Sequence, residues 1–166
     1  MSEINIDNKD WSIVAAVKNA LSGAAVGGSA AFSAVVVSTS DVQIGQCQLK
    51  THPLAIIRYI STAENESPGG HFGCTLSLEL IVVTKICLAG TDESSWLEEV
   101  LRLVNAAKNA VNAAKPPDSC AWADDDNVVR RIEFGAVKID TAQDQLWATA
   151  RLPLAVGYTL DTDTSH

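Results

Sequence analysis

The stretch that decides the fold is Phe72-Gly73-Cys74-Thr75-Leu76-Ser77-Leu78-Glu79-Leu80-Ile81-Val82-Val83-Thr84-Lys85-Ile86. Leu76, Leu78, Leu80 and Val82 alternate with Thr75, Ser77 and Glu79. A period of two sends successive side chains to opposite faces of a pleated strand, so one face of this segment lies on a core. From Ile81 onward both sets of positions are apolar, which predicts a region buried on both faces or covered by another subunit. Just upstream, Leu54-Ala55-Ile56-Ile57-Arg58-Tyr59-Ile60 reads as a second strand. Between the two, Glu64-Asn65-Glu66-Ser67-Pro68-Gly69-Gly70 is dense in turn residues. Together these segments predict a hairpin with a long polar tip.

Working outward, residues 10–23 read as a helix capped by Asp10, burying Ile13, Val14, Val17, Leu21 and Trp11 and stopping at Gly23. Residues 24–31, around Gly27-Gly28, read as a flexible patch that leads into a strand over 32–38. Residues 39–53 form a polar loop, with or without a short strand at 42–44. A second helix starts at Thr91 or Asp92 and places Leu97, Val100, Val104, Ala107, Val111 and Ala114 on one stripe, widened by Trp96 and Leu103. Lys108 and Lys115 lie towards its end, and Pro116-Pro117 stops it. After an acidic loop over 118–127, strands at 128–139 and 145–160 pair across residues 140–144. In the last strand Leu146, Ala148, Ala150, Leu152, Leu154, Val156 and Tyr158 share one face, and Trp147, Thr149 and Arg151 the other. Pro153 cannot donate to a ladder and predicts an edge position or a bulge. The order helix, strand, hairpin, helix, hairpin predicts one α+β domain over 1–166. Its sheet, antiparallel or mixed, has four to five strands with two helices on one face. A polar tail over 161–166 is expected to fray.

Composition narrows the function classes. The chain has 166 residues, 47% hydrophobic and 19% charged, ordinary for a folded domain. Twenty acidic against twelve basic residues leave a net charge of −8. Phosphate neutralisation needs the opposite sign, so specific nucleic-acid binding and attachment to an anionic membrane are not expected. The N-terminal residues lack the basic and apolar regions of a secretory signal, and the most apolar stretch is broken by Gly27-Gly28, so a soluble protein made in a cytoplasm is expected.

Chemistry-bearing residues are scattered. Cys47, Cys74, Cys87 and Cys120 show no zinc spacing, and Cys74 and Cys87, in apolar strand-like surroundings, read as buried small hydrophobes. Asp124-Asp125-Asp126 lacks a calcium-loop pattern and reads as a solvated turn. Gly69-Gly70-His71 has no accompanying nucleophile motif and reads as a hairpin turn. No cofactor, metal or catalytic activity is expected. Arg130, Arg131 and Arg151 fall on the terminal strand pair; they either pair across strands, with Glu133 and Asp144 within reach, or bind a partner.

The layout resembles a known family. A helix led by Asp10-Trp11-Ser12-Ile13 is followed by a wide sheet with a long hairpin tip at residues 64–71. An amphipathic helix then precedes a closing hairpin that ends in Ala150-Arg151-Leu152-Pro153-Leu154-Ala155-Val156-Gly157-Tyr158. This is similar to the tail-terminator, or tail-completion, proteins of tailed bacteriophages, lambdoid minor tail proteins among them. The resemblance covers most of the chain and is carried by element order and these short segments. It implies a homohexameric ring that sits on the finished tail tube, stops its polymerisation and forms the docking surface for the head. The implied partners are further copies of the chain, the tail-tube protein and a head-completion or neck protein. The implied location is the tail or neck of the virion, after assembly in the host cytoplasm. Candidate interface residues are then Glu64, Glu66, Pro68, Gly69 and His71 at the tip, and Ala106, Ala110, Asn112 and Ala113 on the small-residue end of the second helix. Arg130, Arg131 and Arg151 complete the set. The acidic composition suits a ring whose lumen lets DNA pass without holding it. Other tail or neck subunits, a small enzyme, and a ligand- or protein-binding module of host origin remain alternatives.

Overall fold

The hairpin strands organise the molecule, a computed structural model that describes residues 9–39, 53–67, 71–85, 93–114, 128–141 and 147–161. β5 (His71–Lys85) runs between β4 (Leu54–Ser67) and β8 (Trp147–Asp161) and is antiparallel to both. On the far side of β8 lie β6 (Val128–Phe134) and β7 (Lys138–Thr141), both antiparallel to it. Beyond β4 lies β3 (Ala34–Ser38), and this pair is parallel. Parallel pairing demands a connection of roughly a dozen residues or more, and 39–53 supplies that length. The mixed sheet therefore has six strands, in the order β3-β4-β5-β8-β6 with β7 also on β8.

Two helices cover one face: α1 (Lys9–Ser22) and α2 (Glu93–Ala114). Ile13, Val17 and Leu21 of α1 and Val100, Val104 and Val111 of α2 are buried with Leu76, Leu78, Leu80, Leu152, Leu154 and Val156 of the sheet. Those strand residues all occupy even positions, the set that the alternation in β5 and β8 assigned to a core. The opposite face holds a second buried cluster of Leu54, Ile56, Ile81 and Val83, to which neither helix contributes. Its position matches the two-sided apolar run read from Ile81 onward.

Several expectations need correction. The polar tip is shorter than its composition suggested: Glu64, Asn65, Glu66 and Ser67 pair with Cys74, Gly73, Phe72 and His71 inside the ladder. Backbone groups make the ladder, so polar side chains do not end a strand whose partner continues. Residues 24–31 hold a small hairpin, β1 (Ala25–Val26) and β2 (Ser29–Ala30). Gly27 and Gly28 have φ of 60° and 85°, the two left-handed residues that a tight hairpin turn between twisted strands requires. Trp11 is 58% exposed and Leu97 37%, so neither is core, because a periodic stripe does not define its own width.

The segment read as one strand over 128–139 is two, interrupted at 135–137 opposite Pro153. Pro153 sits inside the sheet, paired with Glu79 of β5, and its carbonyl accepts from Gly135 N–H at 2.8 Å. A residue's N–H and C=O point to the same side of a strand, so the missing proline donor faces the interruption. A Cβ on Gly135 would lie 2.9 Å from Pro153 Cβ, which is why glycine fills the gap. Asp161, expected in the frayed tail, pairs with His71. The possible strand at 42–44, the helix cap at Thr91 or Asp92, the Pro116-Pro117 stop and the acidic loop lie outside the described residues, as do Cys47, Cys87 and Cys120.

Candidate functional site

Three surfaces or clusters concentrate the polar and exposed apolar groups. The first joins α1 to the sheet. Asp10, read above as a helix cap, lies instead inside the first turn of α1. Its carboxylate accepts from Tyr158 Oη at 2.5 Å and from Thr62 Oγ1 at 2.7 Å. Thr62 has one hydroxyl proton, and Asp10 takes it, so the 2.6 Å contact between Tyr59 and Thr62 is donated by Tyr59. A bulge makes this possible. Ile60 is the extra residue between the pairs Tyr59–Leu78 and Ser61–Ser77. It shifts the alternation so that Thr62 turns to the helix side with Tyr59. Cys74 lies beside Tyr158; burial is the main cause that pushes its thiol up from the ordinary value, and Glu64 and Asp10 add to it. Burial also pushes the Tyr158 phenol far up, and its hydrogen bond to Asp10 adds to that. Both groups therefore stay protonated; Tyr158 and Thr62 meet on the Asp10 carboxylate, with Cys74 and Tyr59 joined to it through them.

The second cluster lies on the opposite sheet face. Glu79 Oε1 accepts from Arg58 Nη1 at 3.3 Å and Arg151 Nη1 at 3.0 Å. Arg151 Nε also lies 3.7 Å from Asp140. Arg58 stands directly opposite Glu79 in the ladder, and Arg151 is diagonal to it across β8. Arg151 thus pairs with Glu79 and Asp140; Asp144, anticipated as a partner from sequence, lies outside the described residues. Beside this cluster a groove of about 420 Å³ runs along Ile60, Glu133, Gly135, Pro153 and Ala155.

The third is the outer side of α2. Leu97 and Leu101 are 37% and 41% exposed beside Glu98, Arg102 and Asn105. Arg102 and Glu98 form an exposed pair one turn apart at 3.0 Å. At the other end of the helix, Lys108 lies 6.0 Å from the ring centre of Phe134, tying α2 to β6.

The residues named from sequence do not converge on one place. Glu64 is an exposed strand residue opposite Cys74. Glu66 and His71 are strand positions near the hairpin end, and Pro68 and Gly69 lie outside the described residues. Ala106 and Ala110 are half-buried and pack in part against this chain's own core. Asn112 and Ala113 are exposed. Arg130 is the extra residue of a bulge in β6, and Arg131 pairs with Gly157. Sequence reasoning missed the Asp10 junction, which depends on a bulge. It also missed the Glu79 cluster, although registering the two hairpin strands would have set Arg58 against Glu79.

Among the described residues, no group of three or more His, Cys, Asp or Glu is placed to hold a metal ion. No described helix is long and apolar enough to cross a membrane. No protein-family model matches the chain, and no curated protein matches it.

Proposed function

We propose that this chain is an assembly subunit of a tailed bacteriophage, acting as a homohexameric ring. The ring caps the finished tail tube, stops its polymerisation and presents the surface on which the head docks. Its partners in this reading are copies of itself, the tail-tube protein and a head-completion or neck protein. It works by shape and contact rather than turnover, in the tail or neck of the virion. The observation that supports the reading is the junction at Asp10. The two segments that carry the family resemblance, residues 10–13 and 150–158, meet there through the bond from Tyr158 to Asp10. They are remote in sequence and act as one structural unit, which is what a shared architecture requires of its signature segments. The net charge of −8 suits a ring through which DNA passes without being held.

The test is direct. Purified protein added to a tail-tube protein that is polymerising should stop elongation at substoichiometric amounts, and electron microscopy should show it at tube ends. Co-polymerisation along the tube would identify a tube subunit instead, and no effect on tube length would reject the reading.

A further inference from the structure

We draw no further inference here: the strongest candidate, the exposed apolar side of α2 around Leu97 and Leu101, is an unpartnered helix face, and nothing in the structure shows what covers it.

Discussion

Replacing Asp10 with alanine removes the acceptor shared by Tyr158 and Thr62. Tyr158 is 4% exposed, so water cannot take over the lost bond without opening the core. A buried hydroxyl stripped of its partner costs about 1–3 kcal/mol, and the half-buried Thr62 adds a lost bond of about 1 kcal/mol, which puts Asp10→Ala at about 2–4 kcal/mol. Tyr158→Phe removes donor and demand together and should cost about 1–2 kcal/mol. In the double variant the phenol no longer needs a partner. The two losses should therefore fall short of additivity by about 1–2 kcal/mol. Urea denaturation of the four proteins, with slopes checked for constancy, gives this coupling. Asp10→Ser separates the junction from a helix cap: serine caps as well as aspartate but is too short to reach both hydroxyls. Additivity within about 0.3 kcal/mol, with full stability in Asp10→Ser, would refute the junction and restore the capping role.

Other consequences are equally specific. Because the Tyr158 phenol and the Cys74 thiol are held above their ordinary values of 10.0 and 9.0, the folded chain keeps protons that the unfolded chain releases. Their contribution is complete below about pH 9 and declines as pH rises beyond it, by up to about 1.4 kcal/mol per pH unit for each group; Tyr158→Phe should flatten the alkaline loss. Absorbance of the phenolate should show Tyr158 ionising only as the chain unfolds. Gly135→Ala forces a Cβ to 2.9 Å from Pro153 and should cost about 1–3 kcal/mol in thermal or urea unfolding. Gly23→Ala, whose nearest contact would be 3.6 Å, should be tolerated in the same assay. Val104→Asp buries an unpaired charge at a site 2% exposed and should unfold the domain, whereas Asn112→Asp on the exposed end of α2 should change stability by no more than about 0.5 kcal/mol.

The fold was legible where burial imposes a period. Alternation in β5 and β8 assigned the helix-facing residues correctly from Leu76 to Val82 and from Ala148 to Tyr158. The three- and four-residue spacing of Val100, Val104, Ala107 and Val111 placed the inner side of α2. What escaped was whatever depends on partners distant in sequence. Nothing in Ala34-Val35-Val36-Val37-Ser38 distinguishes a parallel neighbour from an antiparallel one, and β3 proved parallel to β4. A β-strand's propensity says little about where its ladder stops, so Glu64 to Ser67 were assigned to a turn. The polar junction was hidden for a related reason. Thr62 reaches Asp10 only after the bulge at Ile60 reverses the alternation, and a period-two reading sends it to the wrong face.

The central claim is that this chain functions as a closed ring, and native mass measurement on the purified protein tests it most directly. The account predicts a single discrete assembly at six times the subunit mass of 17.6 kDa, unchanged in size as concentration rises. A monomer at every concentration, or filaments that lengthen with concentration, would contradict it.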